Sequence, residues 1–258
     1  MTAQDPKIQT HEVVHVTAPK PQETTAERHA PMGVQPKTEQ KHLIIIHGHW
    51  DVPENMHPLG QAVTNPPIPG WTIWYARYDA TWQSFATVGH QLAQYMRKQT
   101  GYDFTNTIYL AYSEGGLVAR QMIADGFPCR GLVTICTPHE GVLPLLPAPD
   151  PASQSMCWYS QDLKNLNANA TDAAHRCSYH CFAITYTDHW GGHDDDTVTP
   201  ANGALMVDLG QVAERGRIPL SYGNNWWMPE HDPHLAGRDP GKVGPVVNAC
   251  RQLMESIA

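Results

Sequence analysis

The chain has 258 residues, is 41% apolar and carries a net charge of −8, with a mean hydropathy of −0.42. That length suits one soluble domain with its own core. The absence of a basic cluster argues against a nucleic-acid partner, and no run approaches the roughly 18 apolar residues of a membrane span. The N-terminus lacks a basic-then-apolar leader pattern, so the cytoplasm is the expected compartment; a secreted mature form would look the same apart from its starting Met.

Residues 1–40 are rich in Pro, Thr, Gln, Glu and Lys and read as a flexible tail. Within them, Val13 to Val16 has the composition of an edge strand. His42 to Ile46 is a continuous apolar run, as in a strand buried on both faces. It leads into His47-Gly48-His49, where Gly48 lets the backbone turn. Residues 51–70 hold five prolines and read as loop with one short helix. Trp71 to Arg77 reads as a second strand. Trp82 to Lys98 reads as a helix, with Phe85, Val88, Leu92, Tyr95 and Met96 on one face.

Asn106 to Gly116 reads N-T-I-Y-L-A-Y-S-E-G-G. Thr107 to Ala111 is a short buried-strand run, and Leu117, Val118, Gln121 and Met122 begin a helical pattern. Between them sits Ser113, with Ala111 two residues before it and Gly115 two after. Small residues at those positions allow the tight strand-to-helix turn of a nucleophile elbow, here in the form A-x-S-x-G. Gly131 to Cys136 is a fourth strand. Repeated strand–helix alternation predicts a mostly parallel sheet with helices on both faces.

Thr137-Pro138-His139-Glu140-Gly141 comes next. Together with His47-Gly48-His49, Ala111 to Gly116 and Gly116-Leu117-Val118-Ala119-Arg120, it makes residues 42–141 resemble bacterial lipases and related esterases of the α/β-hydrolase fold. The resemblance implies a central parallel sheet with a cap or lid insertion at about 142–180, in a hydrolase domain spanning 41–258. It implies cleavage of small-molecule or lipid esters with no cofactor. Ser113 would be the nucleophile, and the N–H groups of His49 and Glu114 would form the oxyanion hole. Two departures stand out: Tyr112, where many members have His, and Glu114, where Met or Gln is usual. An acid at a helix N-terminus is favourable, yet it places negative charge near a developing oxyanion.

Residues 142–180 read as irregular, with Leu143, Leu145, Leu146, Met156 and Trp158 as an apolar underside for an acyl chain. Cys181 to Thr187 is the next strand, after which the triad acid is expected. The family pattern D-x-V-V-P aligns with Asp196-Thr197-Val198-Thr199-Pro200, favouring Asp196 over Asp195. Ile218 to Tyr222 reads as the last strand. The general base should lie just ahead of the final helix, Val243 to Ile257. His234 is preferred over His231, because Leu235-Ala236-Gly237 resembles the small and apolar residues after the family's histidine. Cys136 and Cys250 read as small core residues. Cys157, Cys177 and Cys181 could form a disulfide in an oxidising compartment, whereas the spacing of His175, Cys177, His180 and Cys181 fits no zinc pattern.

Overall fold

The computed structural model describes residues 13–15, 41–98, 104–142, 150–188, 191–194, 209–221 and 235–257. The described elements run β1 (Val13–His15), β2 (Lys41–Ile46), α1 (His57–Val63), β3 (Trp71–Tyr75), α2 (Phe85–Arg97), β4 (Thr107–Tyr112) and α3 (Glu114–Ala124). They continue with β5 (Gly131–Ile135), α4 (Pro151–Met156), α5 (Gln161–Asn167), α6 (Ala170–His175), β6 (Tyr179–Asp188), β7 (Gly191–Asp194), β8 (Glu214–Ser221) and α7 (Gly244–Ser256).

Six strands form a parallel sheet in the order β3-β2-β4-β5-β6-β8. β1 adds antiparallel to the β3 edge, so residues 13–15 form a strand within the stretch read as a flexible tail. β8 pairs with β6 along nearly its whole length, from His180 to Thr187. β5 covers only residues 179–182 of the other edge of β6, and β7 pairs antiparallel with residues 185–188. The end of β7 at Asp194, opposite Thr185, is thereby placed beyond the C-terminal end of β5.

Side-chain alternation divides the core in two. Ile44, Ile46, Tyr109 and Ala111 face one cluster with Phe85, Val88 and Leu92 of α2 and Leu117, Val118 and Met122 of α3. Leu43, Ile45, Ile108 and Leu110 face the other, with Leu59 and Val63 of α1 and Val246, Cys250 and Met254 of α7. The strands are apolar on both faces because each face carries helices. The chain leaves β2 toward the α1 face and leaves the adjacent β4 toward the α3 face. The C-terminal ends of these two neighbours therefore form a topological switch point, where open α/β sheets keep their crevices.

Of the segment expected to be irregular, residues 150–178 are described and are largely helical. Asp150, Ser160 and Asn169 cap α4, α5 and α6, each accepting the backbone N–H three residues on. Met156, Leu163 and Leu166 are buried in the same cluster as α2 and α3. Met156 is thus a core side chain, not part of an acyl-facing underside, while Trp158 is 56% exposed. Leu143, Leu145 and Leu146 lie outside the described residues. All six cysteines are free thiols, with Cys136 and Cys250 buried as expected.

Candidate active site

Ser113 sits between β4 and α3 with φ +53° and ψ −126°. This is strained backbone for a residue with a side chain. A serine in the N-cap position ordinarily bonds back to the first turn of its helix. The Ser113 hydroxyl makes no such cap bond. The turn is held by backbone instead: Ser113 N–H donates to the Ile135 carbonyl at 2.8 Å, and Gly116 N–H donates to the Ser113 carbonyl at 3.0 Å.

The small residues around the serine are dictated by close approach. A Cβ on Gly48 would lie 2.8 Å from the Ser113 Cβ. A Cβ on Gly115 would run into the Ile46 and His47 carbonyls, and one on Gly116 into the Thr137 side chain. The end of β2 is therefore pressed against the elbow, with His47-Gly48-His49 passing beside Ser113. Glu114 N–H belongs to the first turn of α3, where amides have no intrahelical acceptor and the helix dipole is positive.

Behind these N–H groups lies a polar cluster that no local sequence pattern announces. The Glu114 carboxyl is fully buried, and neither of its oxygens accepts a hydrogen bond. His49 Nδ1 is 2.7 Å from the Ala80 carbonyl and 3.5 Å from Glu114 Oε2. His49 Nε2 is 2.9 Å from Ser153 Oγ and 3.5 Å from Asp150 Oδ1. Burial pushes the Glu114 carboxyl up, partly offset by His49, and the net shift is upward. Burial also acts to lower the His49 value, but Glu114, Asp150 and the Ala80 carbonyl outweigh it, so the net shift is upward. Next to it, burial holds His47 down at about 4. That ring stacks on Tyr78 at 4.1 Å, whose hydroxyl donates to the His47 carbonyl.

Asp195, Asp196, His231 and His234 lie outside the described residues, which stop or resume directly beside them at Asp194 and Leu235. Asp194 ends β7, opposite Thr185 of β6. Leu235–Arg238, a 3-10 turn, begins directly after His234. Gly237 packs on the elbow, since a Cβ there would lie 2.9 Å from the Tyr112 ring and 3.1 Å from the Ile135 side chain. Arg238 donates to Asp51 at 2.7 Å, tying this segment to the loop after His49. Arg238 and Asp51 carry no sequence signal of a partnership; they are 187 residues apart.

A second polar cluster lies along α3. Arg120 is fully buried and donates to both carboxylate oxygens of Asp172, at 3.0 and 2.8 Å, and to Asn167 Oδ1 at 2.8 Å. Arg176 Nε donates to the same carboxylate at 2.9 Å, as does the Tyr179 hydroxyl at 2.8 Å. Asn167 Nδ2 donates to the His139 carbonyl at 3.1 Å. Arg120 of the G-L-V-A-R helix thus fastens α5, α6 and the Thr137–Gly141 turn to the elbow helix. His139 belongs to this support: burial, first of all, pulls its value well below the ordinary range, and its Nε2 is 3.1 Å from the Thr134 hydroxyl. Among the described residues no group of three or more His, Cys, Asp or Glu side chains could hold a metal ion.

No family model matches the chain, and no curated protein matches it by sequence. Solved structures do match. The mature form of a Bacillus licheniformis lipase is 14% identical with a TM-score of 0.53, over 83% of this chain and 94% of that one. The propeptide form of that lipase is 16% identical with a TM-score of 0.55, over 86% and 52%. A gene product from Listeria innocua is 15% identical with a TM-score of 0.51, over 84% and 94%. At such identities the likeness is one of fold, and it agrees with the parallel sheet and its two helical layers. The chain is an α/β-hydrolase-fold protein resembling bacterial lipases and esterases.

Proposed function

We propose that the protein is a serine hydrolase that cleaves carboxylic esters, of small molecules or lipids, through an acyl-enzyme. The observation that carries this reading is Ser113, held at positive φ on a strand-to-helix turn with its hydroxyl unused as a helix cap. Ser113 Oγ attacks the ester carbonyl while His234 takes its proton. Asp196 orients the imidazole and stabilises the imidazolium. The N–H groups of His49 and Glu114 receive the oxyanion. His234 then returns its proton to the departing alkoxide, and a water activated by the same base releases the acid. Two anchored segments support the assignment of base and acid. Gly237, packed on Tyr112, is three residues from His234, within a span of about 10 Å. Asp194, at the end of β7, is two residues from Asp196. Neither distinguishes Asp196 from Asp195 or His234 from His231, which stay the alternatives.

The α4 end of the insertion meets His49 through Ser153, which supports a role for this segment as a cap beside the site. A fluorophosphonate should label Ser113 and no other serine, and a chain-length series of p-nitrophenyl esters should then turn over. Ser113→Ala should lose labelling and at least about 10³-fold in turnover, because triad members act as a unit. Labelling that survives in Ser113→Ala would overturn the nucleophile. Labelling without ester turnover would move the assignment to an acyltransferase, thioesterase or amidase on the same triad.

A further inference from the structure

The side chain of His49 has no part in the acyl-transfer steps, which use only its N–H. Yet acceptors surround it. Nδ1 faces the Ala80 carbonyl, which can only accept, and beyond it Glu114. Nε2 faces Ser153 Oγ at 2.9 Å, and the same hydroxyl lies 2.9 Å from Asp150 Oδ2, so when its single hydrogen goes to that carboxylate the hydroxyl meets the ring as an acceptor. A neutral ring that donates from Nδ1 to Ala80 must take the Ser153 hydrogen at Nε2, which withdraws that donor from Asp150 Oδ2; an imidazolium serves the Ala80 carbonyl and Ser153 Oγ and leaves the hydroxyl hydrogen to Asp150. The ring also stacks on Trp50 at 4.6 Å, an arrangement that favours a cation.

The charge has a reason to be there. Glu114 is buried with no hydrogen bond to either oxygen, on the residue whose N–H is aimed at the developing oxyanion. An ionised carboxylate so placed opposes that oxyanion unless a cation accompanies it. Asp150 from α4 and, more remotely, Asp79 from the turn after β3 add negative charge on the same side, and Tyr78 faces the same carboxylate.

We propose that His49 works as a fixed imidazolium, a positioning residue that clamps the oxyanion segment to α4 and cancels the Glu114 charge beside the oxyanion hole. The inference rests on the serine-hydrolase reading, and it makes the unusual residue after the nucleophile one half of a pair. The raised value of His49 agrees with it. As pH rises through that value the ring loses its proton, Glu114 is left uncompensated, and the reaction at Ser113 slows.

The test is the rate at which a fluorophosphonate labels Ser113, which needs no known substrate. His49→Gln should slow labelling at least tenfold, and the double variant His49→Gln/Glu114→Gln should recover most of that loss. The wild type should show an alkaline fall in labelling rate that Glu114→Gln abolishes. Independently, ¹⁵N-histidine spectra, assigned by difference with His49→Gln, should show both His49 nitrogens protonated at neutral pH. An unlabelled wild-type Ser113 overturns the hydrolase reading itself. Labelling of His49→Gln at the wild-type rate, a double variant no faster than His49→Gln, or a neutral ring at pH 7 overturns this inference alone.

Discussion

The elbow helix carries two buried polar clusters, about six residues apart, and they are built on opposite principles. Around Arg120, acceptors meet the guanidinium on several sides: Asp172 takes donors from two arginines and a tyrosine, and Asn167 and the His139 carbonyl fill in. Around Glu114, both carboxylate oxygens lack a hydrogen bond, and the nearest cation-forming group stands at 3.5 Å. Buried polar networks are stabilising when closed and costly when open. A closed network therefore reads as scaffold, and an open one beside a strained residue reads as a site. Both clusters fasten the 150–178 segment to the sheet, but one does so at mid-helix and the other at the helix mouth.

Breaking the closed cluster should have the largest effect on folding. Asp172→Ala leaves Arg120 and Arg176 buried without a counter-charge, a change that costs about 3–5 kcal/mol when one partner of a buried pair is removed. Urea unfolding would read this as a large fall in midpoint. The fraction still folded should label at Ser113 at close to the wild-type rate. A matching loss of labelling per folded molecule would merge the two clusters into one. The pH dependence has a definite sign. Burial acts to raise the Asp172 carboxyl, but Arg120 and then Arg176 more than reverse it, leaving the value below the ordinary one. A depressed carboxyl adds stability that is complete above its unfolded value of about 4 and disappears as pH falls through the folded value. The stability gap between wild type and Asp172→Ala should therefore be level at neutral pH and close in acid.

A smaller effect, confined to activity, should come from untying the segment after His234. Arg238 bonds Asp51 at 2.7 Å, and its guanidinium lies 5.8 Å from the centre of the Tyr112 ring. Arg238→Met keeps an unbranched side chain of similar reach and removes the tie. A base displaced by a fraction of an ångström reacts more slowly, so the labelling rate should fall about tenfold, equivalent to about 1.4 kcal/mol in the barrier. An unchanged rate would mean that Gly237 packing alone fixes the segment.

Legibility in the sequence tracked the range of the interaction. His42 to Ile46 and Thr107 to Ala111 announce buried strands because apolar side chains fall on both faces of each, and the elbow shows itself because Ala111, Gly115 and Gly116 are locally required small residues. The helices α4, α5 and α6 are six or seven residues long, too short for a 3.6-residue period to declare itself, although Asp150, Ser160 and Asn169 were cap signals in plain view. β7 is Gly-Gly-His-Asp, a strand by backbone pairing rather than by side-chain preference. The surroundings of His49 were beyond reach for another reason: its partners Ala80 and Ser153 are 31 and 104 residues away.

The finest cut between the two clusters is at Ser153. Its hydroxyl donates to Asp150 Oδ2 and lies beside His49 Nε2, each at 2.9 Å, and accepts from Nε2 when the ring is an imidazolium. Its backbone N–H separately caps α4 by donating to Asp150 Oδ1 at 2.8 Å. Ser153→Ala removes the relay and leaves the cap. A net hydrogen bond is worth about 1 kcal/mol, so the midpoint of unfolding should move only slightly. The charge on His49 should respond more. Without the hydroxyl, Nε2 keeps only Asp150 Oδ1 at 3.5 Å, and the protonated ring loses an acceptor that the neutral ring needs less. The His49 titration should shift to lower pH, and the alkaline fall in Ser113 labelling should shift with it, in the direction set by a cation losing support. Asp172→Ala, by contrast, should leave that limb where it is. A limb that moves with Asp172→Ala and not with Ser153→Ala would reverse the roles of scaffold and site assigned to the two ends of the helix.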